Sequence, residues 1–257
     1  MGKRKIAVCI SGQIRTAIEA VSNFNLFFED EDIDVFIHTW YDPSIKDHED
    51  IINQIHTLYK PKKLQIDISP NTDRLNFEVM LKTIMLSNEL KRKYEVENDI
   101  RYDVVVKYRF DILFPQITKF TVNNIEPRTL YYPQGNNGVQ YTDFNNHGMT
   151  DVIFWGDSQT MDIACDTYRY YKFVLLPIRN TFVEKTGHIV YDMSESLMSP
   201  GQIIFKYTTK HNIFPIVLKK DDNNFMNFTL WRIEVKNLNW INDFNKIEDF
   251  YLNQYNN

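Results

Sequence analysis

The sequence predicts an α/β fold, a mostly parallel sheet flanked by helices and built as a single domain. Strand-like and helix-like segments alternate along the chain, the pattern that puts helices on the faces of a parallel sheet. With 257 residues, 43% of them hydrophobic and 14% aromatic, the chain can also bury one large core. Neither an internal repeat nor a linker-like stretch divides it. One domain is therefore expected over 1–257, with 221–257 as a C-terminal appendage packed on it.

The elements follow in order. Lys5 to Ile10 is β-branched and apolar, and Thr16 to Phe28 carries Ala17, Ala20, Val21, Phe24, Phe27 and Phe28 at helical spacing. Ile33 to Thr39 reads as a second buried strand, Asp50 to Tyr59 as a helix stopped by Pro61, and Leu64 to Ile68 as a short strand. A long helix is expected from about Asp73 to Glu97. Its apolar face would hold Phe77, Met80, Leu81, Ile84, Met85 and Leu90, with Lys91, Arg92 and Lys93 on the exposed side. Tyr102 to Phe110 is the next strand, central in the sheet. Leu130 to Tyr132 and Asp151 to Trp155 follow as strands, separated by the polar segment "PQGNNGVQYTDFNNHGMT". A loop of that length inside a compact domain is usually functional or mobile. Asp157 to Tyr171 reads as a helix. "SPGQ", Ser199 to Gln202, offers an N-cap serine, an N1 proline and an N3 glutamine for a helix to about Lys210. Ile213 to Leu218 closes the series as a strand, with Pro215 favouring a sheet edge.

Several classes of function are disfavoured. A net charge of −5 argues against a general nucleic-acid or anionic-membrane binder, so any anion is expected to be bound locally. The two cysteines, Cys9 and Cys165, lack metal-like spacing, and neither a disulfide framework nor a zinc site is expected. That usage fits a reducing, cytoplasmic setting. The apolar run after Lys3, Arg4 and Lys5 is broken at once by Ser11, Gly12, Gln13 and Arg15, unlike a signal-peptide core, and no run is long enough to span a bilayer. Peripheral membrane association through the aromatic C-terminal region stays open beside its packing on the core.

Ligands of such sheets sit beyond the carboxyl ends of the strands. "SGQIRT", Ser11 to Thr16, ends the first strand and opens the first helix. Backbone N–H groups and the helix dipole favour an anion there, Gly12 permits close backbone approach, and Arg15 can grip phosphate bidentately. A tight turn with a solvent-facing arginine is the competing reading. The segment carries neither a dinucleotide fingerprint nor a P-loop lysine. A second polar cluster ends "YDVVVKYRFDILF". The period of two puts Val105, Lys107, Arg109 and Asp111 on one face and Val104, Val106, Tyr108 and Phe110 on the other. Arg109 can then contact a diphosphate while Asp111 helps hold a hard divalent cation. A structural salt bridge between the two is the alternative.

"IAVCISGQIRT", "DVFIHTWYD", "YKPKKLQID", "YDVVVKYRFDILF" and "DVIFWGDSQTMD" occur in an order that resembles glycosyltransferase-like proteins of polysaccharide and lipopolysaccharide biosynthesis from bacteria and large DNA viruses. The resemblance covers roughly Lys5 to Phe214. It implies a GT-A-type fold and transfer of a sugar from a nucleotide-diphosphate sugar to a glycan acceptor. It also implies a metal, Mn²⁺ or Mg²⁺, held by an Asp-x-Asp motif. The matching place reads Arg109-Phe110-Asp111, with only the second carboxylate present. Carried over by position, the resemblance puts Ser11, Gly12, Gln13, Arg15 and Thr16 around the nucleotide, with His38 and Trp40 nearby. Trp40 or Tyr41 is then a possible base platform, and packing is the rival role for either ring.

An inverting transfer needs a carboxylate to deprotonate the acceptor. Where similar sequences carry Pro-Glu, this chain has Pro200-Gly201. Asp151 and Glu195 are the two candidates for the base. Asp151 is equally a turn residue at a strand start, and Asp192 with Glu195 equally fits a capping box. Two other functions remain beside the enzyme: an inactive nucleotide-sugar or glycan-binding module of the same fold, and another nucleotide-using α/β enzyme such as a nucleotidyltransferase or sulfotransferase.

Overall fold

The computed structural model of the chain describes residues 4–14, 16–41, 48–68, 76–113, 119–122, 124–133, 152–176, 203–204, 207–208, 210–218 and 229–230. They form a single α/β domain around a seven-stranded mixed sheet. Its strands are β1 (Ile6–Ser11), β2 (Ile33–Tyr41), β3 (Lys63–Ile68), β4 (Val104–Tyr108), β6 (Thr129–Pro133), β7 (Phe154–Gly156) and β8 (Phe214–Leu218). The order across the sheet is β3-β2-β1-β4-β7-β6-β8. β3, β2, β1 and β4 are mutually parallel, and β7 alone is reversed, pairing antiparallel with both β4 and β6. β8 runs parallel to β6 at the edge, where Pro215 withholds no N–H from a second neighbour. Two further short strands, β5 (Ile112–Leu113) and β9 (Thr229–Leu230), pair antiparallel in a separate sheet.

Burial on both faces explains the continuous apolar runs of β1 and β4. On one face Ile6, Val8, Ile10, Val104, Val106 and Tyr108 pack against α1 (Ala17–Phe27) and α2 (His48–Tyr59). On the other, Ala7, Cys9 and Val105 pack against α3 (Asn76–Asn98) and α4 (Ser158–Cys165). Tyr59 joins the two helices of the first layer, its hydroxyl donating 2.7 Å to the Ala17 carbonyl. α2 and α3 both end in the left-handed turn that usually takes glycine, here at Lys60 (φ 46°) and Asp99 (φ 50°). After α3 the Ile100 N–H returns 3.0 Å to the Glu95 carbonyl, closing the helix.

Most elements lie where the sequence expects them, and three differ. Lys91 is not on an exposed face but fully buried, because the side of α3 that carries it packs against α4. The expected helix from Asp157 to Tyr171 is broken at Asp166 into α4 and α5 (Thr167–Tyr170), followed by a π-helical turn, Tyr171–Leu175. β7 starts at Phe154, since Val152 and Ile153 form a bend rather than strand. The helix opening at Ser199 lies outside the described residues in its first turn, with helical positions at 203–204 and 207–208. The 134–150 loop and the 221–257 appendage also lie outside, apart from Thr229–Leu230. No helix among the described residues is long and apolar enough to cross a membrane.

Candidate functional site

β1 and β4 end side by side, and so do their polar tails. Residues of one parity along β1, β2 and β4 emerge on the α3 side of the sheet, which brings Ser11, Trp40, Arg109 and Asp111 to one rim. A cavity of about 100 Å³ opens there at the carboxyl ends of the three strands. Ser11, Gly12 and Gln13 wall it from the first turn, Trp40 from β2, and Arg109, Phe110 and Asp111 from the end of β4. Val79, Met80 and Thr83 of α3 make the remaining side. Sites for whole ligands of drug size run to roughly 300–1,000 Å³, so these walls have room for only part of a ligand of that size.

The first turn is held open by its backbone. Gly12 has φ 120°, a conformation that side chains resist, while an added Cβ would meet nothing within 4 Å. The requirement for glycine is thus conformational, and the space in front of it belongs to the cavity. Thr39 of β2 fixes the turn by donating 2.8 Å from Oγ1 to the Gly12 carbonyl. Helix α1 begins beyond it with Thr16 at its N-cap position, where the side chain makes no capping bond.

Arg109 and Asp111 form a two-pronged ion pair, Nε to Oδ1 at 2.8 Å and Nη2 to Oδ2 at 2.5 Å. Their side chains are only 12% and 11% exposed, so the clamp is well shielded from water. Both carboxylate oxygens therefore face a guanidinium. Hard divalent cations take about six or more oxygen ligands, and Mg²⁺ at phosphate sites commonly has one or two carboxylates from the protein and the rest from waters and the substrate's phosphates. Among the described residues no group of three His, Cys, Asp or Glu side chains is placed to hold a metal. One carboxylate, already paired with Arg109, does not by itself fit a cation held by the described side chains alone.

Trp40 and His38 are i and i+2 on β2, their rings edge to face at 5.1 Å and 84°. The His38 Nε2 lies 3.2 Å from Asp67 Oδ2 on neighbouring β3. Burial lowers the His38 pKa below its ordinary 6.5, and the Asp67 carboxylate offsets this only in part. The imidazole is accordingly neutral near pH 7. The Trp40 ring is 5% exposed, with the Lys82 Nζ 5.3 Å above its centre. A ring so enclosed offers little open face for a base to stack on.

Of the residues singled out in the sequence, Ser11, Gly12, Gln13, Trp40, Arg109 and Asp111 line one cavity. Thr16 and His38 are described but do not line it. Arg15, Asp151 and Glu195 lie outside the described residues. The α3 wall went unforeseen: Met80 reads as ordinary core, and nothing in the local pattern marks Val79 or Thr83. No protein-family model matches this chain, and no curated protein matches it.

Proposed function

We propose that the chain is a GT-A-type glycosyltransferase that moves a sugar from a nucleotide-diphosphate sugar to a hydroxyl of a glycan acceptor in surface polysaccharide or glycan biosynthesis. The observation that carries this reading is the cavity at the carboxyl ends of β1, β2 and β4, where two motifs nearly a hundred residues apart converge. A mostly parallel sheet supports it, because ligands of such sheets bind at that rim. In the reaction the bond from the anomeric carbon to the diphosphate breaks and negative charge collects on the departing phosphate. Preorganised donors aimed at that charge are the main source of acceleration, and Arg109 and Ser11 stand on the cavity wall. Asp151 and Glu195 are the proposed candidates for the base that takes the acceptor's proton.

The second reading is an inactive binding module, and the Arg109–Asp111 clamp favours it, since it ties up the single carboxylate of the motif. A thermal-shift panel of UDP-, GDP-, dTDP- and CMP-sugars tests both. One diphosphate sugar is expected to raise the midpoint; at a hundredfold excess over Kd the gain is about 2.7 kcal/mol, or roughly 5–10 °C for a chain this long. Slow release of free nucleoside diphosphate from that sugar marks the enzyme, and stabilisation without release marks the module. No shift with any member of the panel overturns both.

A further inference from the structure

Two of the polar side chains that line the cavity hold a buried atom without a partner. Ser11 is 1% exposed and its Oγ has no hydrogen-bond partner. The buried Trp40 presents an indole Nε1 that also has none, and this group can only donate. Buried polar atoms in folded proteins are nearly always partnered, so two orphans on one cavity point to a ligand that brings its own acceptor oxygens. Asp111 is the one carboxylate among the described lining residues, and both its oxygens are engaged by Arg109. The carboxylate keeps lone pairs, but the ion pair is neutral as a unit and offers a cation little net charge. Attraction for an anion here comes from directed N–H and O–H groups.

Resting on the glycosyltransferase reading, we propose that this pocket holds the diphosphate of its donor without a resident divalent cation. The Ser11 hydroxyl and the Trp40 indole N–H donate to phosphate oxygens, and Arg109, fixed in orientation by Asp111, supplies the positive end. Trp40 is thus a hydrogen-bond donor to phosphate rather than a platform for the base. The enclosure of its ring by His38 and Lys82 agrees with that role.

Isothermal titration of UDP, GDP and dTDP, and of the matching nucleosides, in excess EDTA and then in Mn²⁺ tests the proposal. One nucleoside diphosphate is expected to bind with the same affinity in both buffers. Ser11→Ala and Trp40→Phe should each weaken it about tenfold or more, the value of a hydrogen bond to a charged group, and leave nucleoside affinity unchanged. Trp40→Phe keeps the ring and removes the donor; its thermal midpoint shows whether it folds, and Ser11→Ala, one oxygen smaller, reads the same wall if it does not. Asp111→Asn should weaken binding in EDTA by loosening Arg109, with no rescue by Mn²⁺. Binding that requires Mn²⁺ overturns the proposal and leaves the glycosyltransferase reading standing. Equal loss of nucleoside and diphosphate in Trp40→Phe overturns the donor role of Trp40. Absence of binding by all three diphosphates in both buffers overturns the proposal and the glycosyltransferase reading together.

Discussion

The Lys91 ammonium is fully buried and held by three oxygens: Ser158 Oγ at 2.7 Å, Asp162 Oδ1 at 2.8 Å and Glu95 Oε2 at 3.0 Å. The Ser158 hydroxyl in turn donates to Glu95 Oε1 at 2.8 Å, and the Tyr102 N–H donates to the same oxygen at 3.0 Å. Burial pushes the Glu95 carboxyl up, but the Tyr102 N–H, Lys91 and Ser158 together outweigh it and keep the pKa below its ordinary 4.5. A group so depressed stabilises the fold above its unfolded pKa, and that contribution fades as pH falls through the folded value. Removing the cation takes away the buried charge that the two carboxylates share, leaving Glu95 the Ser158 and Tyr102 donors and Asp162 the Asn88 amide and the more distant Arg92 and Arg101. Lys91→Met is therefore expected to cost about 3–5 kcal/mol in urea unfolding at neutral pH, and the deficit should narrow as pH falls through the carboxylate range, where protonation of Glu95 relieves its lost partner. A loss under about 1 kcal/mol, the worth of an exposed pair, would show that water reaches this cluster.

Helix α4 owes its start to Asp157. The carboxylate accepts 2.8 Å from the Thr160 N–H and 2.9 Å from the Thr160 hydroxyl, and also accepts 3.3 Å from the Arg128 N–H, where φ is 58°. Asp157→Ala should cost about 1–2 kcal/mol, the upper part of the range for a lost N-cap, while Asp157→Asn should cost less than half of that; equal losses would assign the effect to charge instead of capping. The cap was legible in "GDSQT", because an acid three residues before a helical N–H is a local signal. Asp166 gave no comparable sign of the break before α5, since the pattern of apolar residues runs through it. Along α3, Thr83, Ser87, Lys91 and Glu95 follow one another at intervals of four, a stripe that resembles a solvated face. All four are buried, because Thr83 and Ser87 bond back to carbonyls of their own helix and α4 supplies the partners of the other two. Spacing alone does not distinguish those cases.

Both cysteines of the chain are free and buried on the α3 face of the sheet, Cys9 in β1 and Cys165 at the end of α4. Burial pushes the Cys9 thiol up to about 12 and raises Cys165 strongly as well. Thiolate is the reacting species, so labelling by a thiol reagent should be absent in native buffer and should appear for both thiols together across the urea transition. Early labelling of one thiol would reveal a region opening by itself. The same core shows which features the chain declares locally. Strand positions in β1, β2 and β4, the faces of "YDVVVKYRFD", the turn at Gly12 and the edge position of Pro215 all depend on periods of two, on turn chemistry or on a missing N–H, properties that lie within a few residues. The α/β class and the placing of Ser11, Gly12, Gln13, Arg109 and Asp111 at strand ends follow from them, whereas Trp40 is expected there only from the family resemblance. The contribution of α3 to that wall, the burial of Lys91 and the closed Arg109–Asp111 clamp were settled by packing. Each depends on which surface is pressed against which: Lys91 meets Ser158 and Asp162 across 67 and 71 residues of chain, and the clamp is left only 12% and 11% exposed by the residues packed around it. Side-chain charge is written in the sequence, but its cost and its partner are set by the dielectric and the neighbours that folding brings to it.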